Sequence, residues 1–150
     1  MPETFYAKHR VVFADANPQG TMYWSNYCEV VGRVREEFLF SVLTDDKSFR
    51  QMQEAGIAIE TCEFSSRYLK PAFLGDVLIV KLNVTNLRRM MVELLVDFVK
   101  IGADGVEETV AKTRQKLLFF DVQKGKPTNM PETVHIRAAE YEIPDPNHKS

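Results

Sequence analysis

From residue 57 onward the chain leaves no space for further long helices, and this constrains its fold more than any other feature. Residues 57–69 alternate without a Gly or Pro, as one long strand does. Residues 77–87 set Val77, Ile79, Lys81, Asn83 and Thr85 against Leu78, Val80, Leu82 and Val84. Residues 90–101 and 106–122 are two more apolar runs, the second with room for a bend. The joints are short: the Pro71 and Gly75 connection, a turn at Arg88 and Arg89, and the hairpin signal Gly102-Ala103-Asp104-Gly105. Consecutive strands joined so tightly pair antiparallel.

Ahead of these strands lies one amphipathic segment, residues 12–40, read as a strand end, a polar loop and a long helix. Pro18 restricts Asn17, and Gly20 permits a turn, so residues 14–20 form a loop. Tyr27, Val30, Val31, Val34, Phe38 and Val42 recur at helical spacing as one apolar stripe. Glu29, Arg33 and Glu37 follow at i,i+4 on a polar side. Asn26 is the expected N-cap, with Glu29 completing a capping box. A first strand is expected over residues 5–13, with His9, Val11 and Phe13 on one face and His9 as a strand residue on a partly wet side. A short helix over residues 48–55 takes Ser48 as cap and Gly56 as stop.

The stripe must be buried against the strands. This predicts an α+β fold in one domain over residues 1–150, with a curved antiparallel sheet around a long central helix. The Pro-containing end is expected to be a covering segment followed by a loose tail from about residue 140. Long edge strands make pairing between subunits an expected protection, as homodimer or homotetramer.

Composition excludes several function classes. Hydrophobic residues make up 45%, which indicates a packed core. A net charge of -2 gives no general attraction to nucleic acid or anionic membranes. No apolar run approaches the roughly 20 residues of a membrane span, and the N-terminus lacks a signal-peptide core. Cys28 and Cys62, widely spaced, make neither a metal site nor a disulfide framework. A cytoplasmic protein without metal or cofactor is expected.

The loop, F-A-D-A-N-P-Q-G-T-M-Y-W-S-N-Y from Phe13 to Tyr27, resembles the pattern Phe-x-Asp-x-Asp-x-x-Gly followed by aromatics and Asn-Tyr. The helix run G-R-V-R-E-E-F-L from Gly32 to Leu39 resembles Glu-x-x-Arg-x-x-Phe-Leu. Y-L-K-P-A-F-L-G-D from Tyr68 to Asp76 resembles Tyr-x-x-Pro-x-x-x-Gly-Asp. Together these resemble the hotdog-fold thioesterases of the 4-hydroxybenzoyl-CoA thioesterase-like group. In typical members the second loop acid is nucleophile or base. Here that position is Asn17, which cannot ionise, and only Asp15 remains. Asn17 with Arg35 in the helix resembles thioesterases of enediyne and iterative polyketide pathways. That resemblance implies release of a polyketide or fatty acyl chain from an acyl carrier protein, or from CoA.

A thioester hydrolase needs a polarised carbonyl, a placed water and an acyl pocket. The helix start offers amides and a positive dipole end to an oxyanion. Asn17 is the expected carbonyl or water ligand, or alternatively a loop residue satisfying backbone groups. Arg35 lies roughly 60–70° from the stripe centre and is either a fixed charge at the site or a snorkelling residue at the core edge. Asp15 is either a direct base or the group that orders the loop. Gly20, Tyr23 and Tyr27 border the same junction as candidate substrate contacts, Tyr27 alternatively only starting the apolar stripe, while Met22, Tyr23 and Trp24 either wall the acyl pocket or belong to the core or a subunit interface. Cys28 is expected to be buried and inert, and His135 and His148 receive no role. Arg88, Arg89, Lys112 and Arg114 are candidates for phosphate contacts. The rival functions are a short-chain or aromatic acyl-CoA hydrolase using Asp15, and a non-hydrolytic acyl or carrier-protein binding module.

Overall fold

A computed structural model describes residues 1–147. Strand β1 spans Phe5–Arg10, helix α1 Trp24–Phe38, helix α2 Asp46–Glu54, and strand β2 Ile57–Tyr68. Strands β3 (Val77–Thr85), β4 (Met91–Ile101) and β5 (Glu107–Asp121) follow, then a two-residue β6 (Lys126–Pro127) and helix α3 (Glu132–Ala139). The sheet is antiparallel throughout, in the order β1-β3-β4-β5-β2, with β6 on β5. Register shifts between Thr61 and Glu63 and between Phe98 and Val99 add twist where the sheet must curl around the helix.

The stripe of α1 behaves as its spacing requires: Tyr27, Val30, Val31, Val34 and Phe38 are all buried. They pack on the alternate residues of β3 and β4, Leu78, Val80 and Leu82 with Leu94, Val96 and Phe98, in one core. Beyond Phe38 the helix relaxes into one wider turn, Leu39–Leu43, closed by Thr44 N donating to Leu39 O at 2.9 Å.

Several local expectations are corrected. Helix α1 starts at Trp24 with Tyr23 at the cap, and no side chain caps it. Asn26 sits inside the first turn instead. Its Nδ2 donates to Asp15 O at 2.8 Å, because the preceding loop presents carbonyls there. Asp45, rather than Ser48, caps α2: its carboxylate accepts from Ser48 N at 2.7 Å. That bond holds the Asp45 carboxyl below its ordinary pKa. Strand β1 stops at Arg10, and Phe13 opens a 3-10 turn with its ring 85% exposed. Cys28 is exposed, since it lies off the buried stripe.

The end of the chain is not loose as far as residue 147. Tyr141 is buried, and Ile143 N donates to Val84 O at 2.8 Å. Asp145 joins Arg114 and Asn86. Residues 148–150, which include His148, lie outside the described residues. Helix α3 covers the open end of the core with Val134 and Ala138, as the covering segment was read. Among the described residues, no helix is long and apolar enough to cross a membrane.

Candidate active site

Asn17 opens a tight turn that its own side chain closes. Its Oδ1 accepts from Gln19 N at 3.0 Å and Thr21 N at 3.1 Å, and its Nδ2 donates to Thr21 Oγ1 at 2.9 Å. Gly20 completes the turn at φ +83°, a conformation that favours glycine. Gly20 N donates to Asn17 O at 3.0 Å, and Leu74 N donates to Gly20 O at 2.8 Å, so the turn is anchored to the β2–β3 connection. One Nδ2 proton of Asn17 has no partner among the described residues. Asn17 therefore orders the loop and still offers a donor.

Asn17 lines a cleft of about 420 Å³ with Thr21, Tyr23, Trp24, Tyr27 and Tyr68, and Met22 and residues 69–71 complete it. The uncapped first turn of α1 lies in this wall, so its amides are free of side-chain acceptors and its positive dipole end is uncompensated. The Tyr27 ring packs 5.0 Å from Phe98 and 5.2 Å from Tyr68. Burial, and secondarily the phenol of Tyr68, pushes the Tyr27 hydroxyl up to about 12, so it stays a donor at neutral pH. Tyr68 is fixed by donating to Trp24 O at 2.9 Å and accepting from Ser66 Oγ at 2.8 Å. Of the sequence candidates, Asn17, Tyr23 and Tyr27 share this cleft; Gly20 supports the turn behind it.

Asp15 is committed elsewhere. Its Oδ2 accepts from Val12 N at 3.0 Å and lies 2.7 Å from His9 Nε2. Arg33 Nη2 sits 2.8 Å from His9 Nδ1. With the guanidinium donating to Nδ1, the imidazole carries its proton on Nε2 and donates it to Asp15. His9, only 8% exposed, thus joins β1, the loop and α1. Sequence reading placed it on a partly wet strand face. Its even spacing from Val11, which is also buried, was the available signal.

Arg35 is not in this cleft. It lies eight residues beyond Tyr27, about 12 Å along the helix, and Nη1 donates to Thr61 Oγ1 at 3.3 Å. There it borders a separate, almost wholly apolar cavity of about 40 Å³ with Phe38, Leu39, Ile59, Leu94 and Leu117.

The candidate phosphate contacts lie apart from this cleft. Strand alternation puts Lys112 and Arg114 on the sheet face away from α1. Arg114 is committed to Asp145 and Glu93, and Lys112 lies 3.3 Å from Asp97. Arg88 and Arg89 are exposed on the β3–β4 turn and do not line the cleft. Lys70, at the cleft rim and 3.2 Å from Glu108, is the cation that sequence reading passed over.

A long helix held in a curled antiparallel sheet, with a polar loop feeding its uncapped start, defines the hotdog class of thioester-processing domains. The chain belongs to the thioesterase-like superfamily, whose family profile matches residues 11–137. A putative esterase of Aquifex aeolicus is 32% identical over 85 residues, 57% of this chain and 64% of that protein. The 1,4-dihydroxy-2-naphthoyl-CoA hydrolase of Thermosynechococcus vestitus is 25% identical over 135 residues, 90% of each chain. The crystal structure of the dynemicin thioesterase, described with polyene binding, superposes with a TM-score of 0.83 at 20% identity. That match covers 94% of this chain and 99% of the other, a likeness of fold.

Proposed function

We propose that this chain hydrolyses an acyl thioester by direct attack of water, without a carboxylate nucleophile. The carrying observation is the position of the one loop acid. Asp15 is turned onto His9 and Val12 N, while Asn17, the α1 start and Tyr27 border one cleft. In this reading the thioester carbonyl lies at the helix start, where amides, dipole and the free Asn17 proton stabilise its oxyanion. A group able only to donate suits an oxyanion, and neutral Tyr27 adds another donor.

The remaining charge comes from a second copy. Strand β2 has a free edge of twelve residues. Tyr23, Trp24, Tyr68 and Leu69 are exposed around the end of it, as residues of an interface are. Antiparallel pairing of two β2 strands about their midpoint sets the Tyr68 end of one against the Ile57 end of the other. The partner's Arg35 is then carried toward the Asn17 cleft. The functional unit is a homodimer with two composite sites, and a tetramer is a pair of such dimers.

The favoured substrate is an acyl chain on the pantetheine arm of a carrier protein or of CoA. The resemblance of Asn17 and Arg35 to the polyketide-pathway pattern supports the carrier-bound chain, and the naphthoyl-CoA hydrolase relative supports CoA.

The test is free-thiol release from matched acyl-CoA and acyl-carrier-protein panels, followed by mixing of variants. Asn17→Ala and Arg35→Ala are each expected to be inactive alone. Refolded together, about half of the dimers are mixed and each holds one intact site of two, so about a quarter of wild-type activity returns. No recovery on mixing sinks the composite site. No thiol release by wild type from either panel sinks the hydrolase reading in favour of a binding module.

A further inference from the structure

Tyr68 is the last residue of β2, and the backbone just beyond it is anchored: Leu69 N and Lys70 N both donate to Val110 O, at 2.8 and 3.1 Å. Register sets Tyr68 opposite the buried Ala111, so its side chain is on the inner face, where it lines the Asn17 cleft beside Tyr27. Its hydroxyl reaches Trp24 O at 2.9 Å. A carbonyl oxygen can only accept, so Tyr68 commits its single proton there. Ser66 Oγ, 2.8 Å from the Tyr68 hydroxyl, is then the donor of that second bond. The relay has one direction, from Ser66 through Tyr68 to Trp24 O.

Trp24 O and Ser25 N–H are the two ends of one planar peptide group. Ser25 stands in the uncapped first turn of α1, and its N–H has no acceptor among the described residues. The loop holds this turn from one side, where Tyr23 N and Asn26 Nδ2 both donate to Asp15 O at 2.8 Å. Tyr68 holds it from the side of the cleft, which Trp24 and Tyr68 both line. In a trans peptide the C=O and N–H point opposite ways, and a helix keeps both along its axis. The Ser25 N–H therefore points back from the Tyr68 flank toward the loop that carries Asn17. Hydrogen bonds in series polarise one another, so donation to Trp24 O makes the Ser25 proton more positive.

We infer that Tyr68 is a positioning residue that, with Ser66, fixes and polarises the Trp24–Ser25 peptide so that the Ser25 amide is a preorganised oxyanion donor. This rests on the proposed reading in which the thioester carbonyl lies at the helix start. Tyr68 touches no reacting atom, since its proton is on Trp24 O. Donation in series strengthens the next bond by roughly 10–30%. A whole oxyanion donor supplies about a hundredfold or more in kcat, so the relay accounts for about two- to fivefold.

The experiment follows thiol release from octanoyl and benzoyl pantetheine thioesters, free and carrier-bound, by wild type, Tyr68→Phe, Ser66→Ala and the double variant. Proton–nitrogen NMR of the ligand-free, serine-labelled proteins runs beside it. Tyr68→Phe keeps the ring on Tyr27 and removes the hydroxyl. It is expected to lower kcat about two- to fivefold with KM unchanged, and to move the Ser25 amide proton upfield. Ser66→Ala, which leaves the ring and its packing intact, should act in the same sense by a smaller step. The double variant should match Tyr68→Phe, because Ser66 acts only through Tyr68.

An unmoved Ser25 amide in Tyr68→Phe overturns the relay and leaves the hydrolase reading standing wherever wild type releases thiol. A moved amide with kcat unchanged also overturns it, because the bond then does nothing for the oxyanion. A rise in KM alone has the same meaning: the contact serves ground-state binding. Losses that add in the double variant break the series and overturn the role of Ser66. No thiol release by wild type from any of these thioesters defeats the hydrolase reading itself, and the oxyanion role with it.

Discussion

His9 Nε2 lies 2.7 Å from Asp15 Oδ2, and this contact fixes what the only acid of the loop can do. Asp15 is held by an imidazole that is itself held by Arg33 on α1. The carboxylate ties strand β1 to the loop and so sets where the loop delivers Asn17.

Removing that tie should cost stability. His9→Ala leaves Asp15 and Arg33 without their shared partner and is expected to lose about 1–3 kcal/mol of unfolding free energy in urea. A double-mutant cycle with Asp15→Asn should give a coupling of about 0.5–3 kcal/mol. Additive losses would show that the contact contributes nothing.

The two loop residues should separate by what they affect. Asn17→Ala is expected to lower kcat about 100-fold or more, the scale of a lost oxyanion donor. Asp15→Asn should act chiefly on stability and spare most of the turnover. If Asp15→Asn abolishes thiol release while Asn17→Ala leaves it intact, the carboxylate mechanism of the rival acyl-CoA hydrolase takes its place.

Tyr27 should be visible in an alkaline titration. Its hydroxyl is raised to about 12, so the part of the absorbance change near 295 nm that Tyr27→Phe removes should come near pH 12. The folded state holds this proton more tightly than the unfolded chain does. Stability is therefore unaffected below about pH 10 and falls as pH rises from about 10 to 12. In Tyr27→Phe that component of the fall disappears, which chemical denaturation at pH 8 and pH 11 will measure.

Asp145 should make the end of the chain acid-sensitive. Arg114, then the Asn147 amide and Asn86, hold its carboxyl well below the usual carboxylate range. A depressed pKa contributes stability above the unfolded value, about 3.9, and loses it as pH falls toward the folded one. Asp145→Asn should therefore melt lower than wild type at pH 7, with the gap closing below about pH 4. An equal gap at both pH values would mean that packing, rather than the ion pair, holds the segment.

Much of the architecture was legible because it is written in short periods. The 3.6-residue recurrence from Tyr27 to Phe38 and the two-residue alternation after Gly56 act over one turn or one strand. They determine helix, strands and antiparallel order before any long-range contact exists. The helix start was misread at Asn26, because capping propensity is weak beside a loop whose carbonyls take that side chain. The tail was misread because proline spacing says nothing of Arg114, whose pairing with Asp145 spans distant sequence.

The sequence by itself determined that one amphipathic helix must be wrapped by an antiparallel sheet, and that a polar loop with Asn17 precedes it. Only the tertiary structure decided which side chains meet. It turned Asp15 onto His9, left Asn17 and Tyr27 on one cleft, carried Arg35 about 12 Å away, and buried Gln115 with an unpaired oxygen. The reason is physical. Periodicity fixes the face on which a residue lies, but the meeting of two faces depends on strand register and helix placement. Those are set by the packing of the whole core.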